Sequence, residues 1–85
     1  MNIWIDGDAC PKQVKEIVYK AAIRTTTKLF YIANSYHKLP QNELFELVIV
    51  DKSLDAADQH IIDHLTSDDL VITADIPLAY EAVMK

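Results

Sequence analysis

Four short apolar runs punctuate this chain, and the segments between them decide how they can be assembled. Residues 2–5 (Asn-Ile-Trp-Ile), 28–33 (Lys-Leu-Phe-Tyr-Ile-Ala), 45–50 (Phe-Glu-Leu-Val-Ile-Val) and 69–73 (Asp-Leu-Val-Ile-Thr) are rich in β-branched and aromatic side chains. Their near-continuous apolarity suits strands covered on both faces, the habit of parallel sheets. Between the first and second runs, Val14, Ile17, Val18, Ala21 and Ala22 recur at helical spacing after Pro11, which suits the first position of a helix because its missing N–H needs no partner there. Thr25-Thr26-Thr27 is β-branched and ends that helix. Between the third and fourth runs, Ser53 or Asp55 can cap a second helix that turns Ala57, Ile61, Ile62 and Leu65 inward. Asn34 to Glu43 is polar, contains Pro40 and reads as a loop, and Pro77 opens a third helix that runs to the end.

The order βαββαβα predicts an α/β fold: a three-layer sandwich with a mainly parallel central sheet and helices on either side. At 85 residues the chain is one domain at most, spanning 1–85, with a core that has little to spare. The third helix carries no stop signal after Met84-Lys85, so the sheet is expected to continue in a further C-terminal section. A truncated sheet would leave an edge strand open, which makes a homodimer an expected partner state.

Hydrophobic residues make up 51 % of the chain, enough for a packed core. No apolar run approaches the ~20 residues of a membrane span. The opening Met1-Asn2-Ile3-Trp4-Ile5-Asp6 lacks the basic start and long apolar stretch of a signal peptide, so a cytoplasmic location is expected, without a membrane partner. A single cysteine, Cys10, fits a reducing compartment. The net charge of −5, from 13 acids against 8 bases, is not that of a protein holding nucleic acid by charge alone. Either nucleic acid is not the partner, or a bound cation reverses the local field.

The acids are placed in a telling way. Asp6 and Asp8 directly follow the first strand, Asp55 and Asp58 open the second helix just after the third strand, and Asp75 follows the fourth. In a parallel sheet these positions share the carboxyl edge, where open α/β sheets bind ligands. Carboxylates converging there repel one another unless a cation bridges them. Oxygen-only ligands favour Mg²⁺ or Mn²⁺ over zinc, and such ions can orient water for displacement at phosphorus. Taken singly, each acid has a plainer reading: Asp55 and Asp75 as helix caps, Asp-Gly-Asp as a turn. Thr73 lies two residues before Asp75, on the same side of an extended segment, where its hydroxyl can hold that carboxylate. Asp51, Asp63, Asp68 and Asp69 read as loop or solvated-face acids.

At this level the chain resembles a known family. Asp6-Gly7-Asp8-Ala9-Cys10-Pro11, Asp55-Ala56-Ala57-Asp58 and Val71-Ile72-Thr73-Ala74-Asp75-Ile76-Pro77-Leu78 look like the signature blocks of the YaiI/YqxD family of bacterial proteins, and Asn34-Ser35 fits the same pattern. That family is similar in turn to PIN domains, whose nucleases hold Mg²⁺ or Mn²⁺ with acids at strand ends. The resemblance implies a metal-dependent nuclease cleaving phosphodiester bonds, with RNA ahead of DNA as the partner. It implies catalytic roles for Asp6, Asp58 and Asp75, and metal ligation by these three with Asp8 and Asp55 as further candidates. Members of the family continue past the third helix with a basic and polar section that this chain does not contain. The PIN acid between the first two strands has no clear counterpart; Glu16 is available but sits inside helix one.

Other residues carry two readings. Cys10 beside a helix start could be a nucleophile, but no phosphate-cradling loop with a nearby arginine accompanies it, and buried filler is the plainer account. His37, with Tyr36 and Lys38, lies in the loop after the second strand, where phosphate or base contact and a plain surface loop both fit. His60 and His64 are four apart on helix two but lack a third ligand. Lys12, Lys15, Lys20 and Arg24 give helix one a basic face, for a phosphate backbone or for solvent. Two rival functions stand beside the nuclease. One is a haloacid-dehalogenase-type phosphatase, with Asp6 as nucleophile and Asp8 as general acid/base. The other is a non-catalytic PIN-like module that binds RNA or protein. The strand order expected is 3-2-1-4, with strand one central because the loops on either side of it carry the site.

Overall fold

The computed structural model describes residues 1–51 and 56–73; the side chain of Asp58 lies outside the description as well. In chain order the elements are β1 (Asn2–Asp6), α1 (Lys12–Thr25), β2 (Lys28–Ala33), β3 (Phe45–Ile49), α2 (Ala56–His64) and β4 (Leu70–Ile72). The four strands form one sheet in the order β3-β2-β1-β4, with every pairing parallel. The expected α/β architecture and strand order are therefore both present. The third helix expected from Pro77 lies outside the described residues.

Alternation along the strands sorts side chains to two faces. Ile3 and Ile5 of β1 join Leu29, Tyr31 and Ala33 of β2 under Val18 and Ala22 of α1. Trp4 and Ile32 point the other way, against Ile61 of α2 and Leu65 just beyond it. Among the described residues one helix thus covers each face, which makes the three layers. The inward stripe of α1 differs from the one its spacing suggests. Val18 and Ala22 are buried, but Val14 is 38 % exposed and Ile17 68 % exposed. The helix is rotated so that Lys15 and Tyr19 share the sheet-facing side, with the Lys15 ammonium 5.2 Å from the centre of the Tyr31 ring. A snorkelling lysine can cover apolar surface with its stem, so apolarity alone does not rank the positions on this helix. Pro11 sits just before the helix with extended ψ rather than inside its first turn. Thr26 closes it in the left-handed region, at φ 52°, its N–H reaching back to Ala22 and Ile23.

The connection from β2 to β3 joins parallel neighbours without a helix, where a crossover helix is the usual device. Leu39 in this segment packs into the cluster under α1, so the loop crosses the same face as that helix and lies beside it.

Asp69, expected on a solvated face, is instead a clamp. Its carboxylate accepts from the Asn2 backbone N–H and the Trp4 indole Nε1, both at 2.9 Å, and from the Thr66 N–H at 3.1 Å. It ties the start of β1 to the turn before β4 and satisfies the one polar atom of a buried tryptophan that stacks 4.4 Å from Phe30. Burial pushes the Asp69 carboxyl up, but the bonds from Trp4, Asn2 and Thr66 together outweigh it and hold the group below its usual range.

Two outcomes follow. Asp69→Ala should cost about 1–3 kcal/mol at neutral pH, because the Trp4 N–H loses its acceptor. Since the folded-state pKa is depressed, this contribution is full above the ordinary carboxylate range and disappears as pH falls through the depressed value; denaturant melts of both proteins should therefore converge in acid. Thr26→Gly should raise stability by roughly 0.5–1 kcal/mol, since only the β-branched residue is strained at that φ.

Candidate functional site at the carboxyl edge

The strand order places a topological switch between β1 and β4. From β1 the chain passes through α1 to β2 on one face; from β3 it returns through α2 to β4 across the other. The carboxyl ends of β1 and β4 flank the crevice so formed, which is where open α/β sheets take ligands. Asp6, the last residue of β1, lies there with only 3 % of its surface exposed. The Thr73 hydroxyl, just past β4, donates to Asp6 Oδ2 at 3.3 Å. The sequence expectation that Thr73 holds Asp75 falls on a residue outside the described ones; among the described residues the Thr73 hydroxyl reaches Asp6 across the strand pair. Asp55 and Asp75 lie outside the described residues, and Asp58 is placed only as the third residue of α2. Among the described residues no group of three His, Cys, Asp or Glu side chains gathers to hold a metal.

Asp8 turns elsewhere. Its Oδ2 accepts the Asn34 backbone N–H at 2.8 Å, and its Oδ1 lies 3.5 Å from His37 Nε2. His37 Nδ1 is 2.6 Å from the Tyr31 hydroxyl. In the neutral imidazole that network assigns the proton to Nε2, facing Asp8, while Tyr31 donates to Nδ1. Asp8, expected as a further metal-ligand candidate, is thus brought together with His37 and with the Asn34 backbone rather than its side chain; Ser35 is exposed beside it.

Tyr31, which the sequence shows only as part of the second strand run, is the further residue of this cluster. It is 1 % exposed, and burial first, then the charges of Asp8, Cys10 and Asp6, push its hydroxyl up to about 12, which keeps it a donor. Its ring lies so close over Gly7 that a Cβ there would overlap it, which explains the glycine between the two acids better than turn geometry does. The available signal was the spacing Gly7, Tyr31, His37, legible only once β1 and β2 are paired with Ile5 opposite Tyr31. Cys10 is buried beside this cluster, and burial raises its thiol, as suits the filler reading. His60 and His64 stack 4.2 Å apart and lean on Trp4.

The comparison with known proteins agrees with the blocks around this edge. The family model described as "Uncharacterized BCR, YaiI/YqxD family" matches residues 4–85. The chain belongs to the YaiI/YqxD family. Curated relatives named UPF0178 protein match along its whole length: 53 % identity in Legionella pneumophila strain Philadelphia 1, and 47 % in both Maridesulfovibrio salexigens and Cellvibrio japonicus. The chain spans 57 %, 56 % and 56 % of those proteins respectively. No solved structure matches it significantly. No helix among the described residues of this YaiI/YqxD chain is long and apolar enough to cross a membrane.

Gly7→Ala should destabilise by about 1–3 kcal/mol through overpacking against a ring that has no room to move. In a Tyr31→Ala background the same change should cost far less. A double-mutant cycle by urea melts checks this, and additive costs would show that the two residues do not meet.

Proposed function

We propose that this YaiI/YqxD chain is the metal-binding part of a PIN-like nuclease that hydrolyses phosphodiester bonds of RNA. The observation that carries the reading is Asp6: a buried carboxylate at the end of a central strand, at the topological switch, oriented by the Thr73 hydroxyl. A carboxylate confined there suits a hard divalent cation, and its oxygen fits Mg²⁺ or Mn²⁺ as one ligand. Asp58 and Asp75 would complete the set, with Asp55 as a further candidate. When bound, the ion supplies an activated water and neutralises charge developing on the phosphate. Asp6 contributes the oxygen, Thr73 fixes its direction, and the walls of the crevice keep it from rotating into bulk solvent. Asp8 is engaged by Asn34 and His37, so its role in this reading is to hold the loop after β2 against the site. The same engagement weighs against the phosphatase reading, which needs Asp8 free to move a proton.

Mn²⁺ at millimolar concentration should raise the melting temperature by on the order of 5 °C relative to chelator. Asp6→Asn should abolish that shift and cleavage of single-stranded RNA, while leaving the chelated protein folded. Asp63→Asn, on an exposed position of α2 where the Gln59 amide donates to it, should change neither. The assays are run on this chain and on a full-length relative substituted at the matching positions. Full cleavage by Asp6→Asn would overturn the assignment. An aspartyl-phosphate trapped at Asp6 would favour the phosphatase, and RNA binding without metal dependence the non-catalytic module.

A further inference from the structure

A cleft of ≈ 590 Å³ opens between α1 and the loop that joins β2 to β3. Its origin is topological: the β2–β3 crossover has no helix to fill the space beside α1. Lys12, Lys15 and Lys38 line it, three of the eight basic residues of a chain whose net charge is −5. Glu16 is the single acid in the lining. Among the described residues none of the three lysines is in an ion pair, and Lys15 rests over the Tyr31 ring. The first turn of α1, at one end of the cleft, holds no acid and no side-chain cap, so its positive end is uncompensated. The floor is apolar and aromatic, from Tyr19, Leu39 and Pro40, with the Tyr31 and His37 pair at the inner wall. Bare phosphate would leave that floor uncovered, and an apolar ligand would leave three lysines pointing at it. A cationic rim over an aromatic floor suits a ligand with a phosphate at one end and a flat ring at the other.

We propose that this cleft is a nucleotide subsite, taking the phosphate of one nucleotide between Lys12, Lys15 and Lys38 and its base against Tyr19, Leu39 and Pro40. The Tyr31 hydroxyl is 3.4 Å from the Gly7 carbonyl, and Gly7 follows Asp6 directly, so the cleft and the carboxylate flank the same strand end. A strand of RNA crossing the carboxyl edge would place one nucleotide here and the next phosphodiester at Asp6. That last step rests on the nuclease reading; nucleotide binding in the cleft does not. Tyr31 stays protonated through neutral pH, so it adds no negative charge to repel the phosphate.

The test is done in chelator, which separates it from any metal site. Uridine 5′-monophosphate and adenosine 5′-monophosphate are titrated against the chain by NMR, beside uridine and inorganic phosphate. The nucleotides should saturate with shifts centred on Lys15, Tyr19, Tyr31 and His37, at least about tenfold tighter than uridine or phosphate alone. Lys12→Ala with Lys38→Ala, at two exposed positions, should weaken nucleotide binding at least about tenfold without lowering the melting temperature, while Asp6→Asn should leave it unchanged. Lys15→Met, which keeps the stem over Tyr31, should weaken it similarly. Phosphate binding as tightly as the nucleotides would reduce the cleft to an anion site and overturn the proposal. So would shifts that ignore the lysine variants, or that vanish in Asp6→Asn, or no saturation at all. Failure of RNA cleavage with binding retained would count against the nuclease reading alone.

Discussion

Everything in this fold hangs on β1 being paired on both sides. Its parallel bonds to β2 and β4 bury Ile5 completely and leave Ile3 and Trp4 almost no surface. They also force the chain to leave on one face and return on the other. A strand so confined cannot slip register without exchanging its two faces, which would put Trp4 under α1 and Ile5 under α2. The Asp69 clamp reinforces that register at the amino end, where Asn2 and Trp4 share one carboxylate. At the carboxyl end the Gly7 N–H continues the ladder to Ile32 at 2.8 Å, so the turn carrying Asp6 and Asp8 leaves the sheet from a fixed point.

From that point two chemically different regions diverge. Asp6 shares the face of Trp4 and meets Thr73; the next residue, Gly7, passes beneath Tyr31; Asp8 then joins His37 and the Asn34 backbone. Buried Asp6 and a lysine-lined cleft therefore lie on either side of one strand end. In the proposed reading, this arrangement answers the difficulty raised by the chain's acidity. Its bases are too few to attract a polyanion overall, but three of them surround one cleft beside the acids. Local fields, not net charge, govern contact at distances shorter than the ~8 Å screening length of physiological salt.

The Tyr31 pair with His37 links packing to this chemistry. Tyr31 is core for the sheet and wall for the cleft at once, which is why its ring is buried and its hydroxyl still reaches a loop histidine. Glycine at position 7 is the condition for both, because any side chain there would occupy the volume of the ring. The helix-free crossover from β2 to β3 is the other condition, since a helix packed beside α1 would close the cleft.

Sequence by itself determined the order of the described elements, the parallel sheet, the strand order and the place of Asp6 at the carboxyl edge. Those follow from apolar runs, helical spacing and the rule that strand-end residues in parallel sheets share an edge, and the family blocks were readable in the same residues. Tertiary structure alone decided the rest, because each remaining feature depends on a contact between segments distant in sequence. The rotation of α1 that exposes Val14 and Ile17 goes together with Lys15 resting over Tyr31, a residue of another element. Asp69 became a clamp because β4 starts beside the amino end of β1, 65 residues from Trp4 along the chain. Asp6 and Asp8, two residues apart, would share a face on extended backbone; they are separated because the strand ends at Asp6 and the chain turns through Gly7 beneath Tyr31, which carries Asp8 to His37 and the Asn34 backbone. No local pattern encodes that last choice; it is set by which side chain lies across the strand.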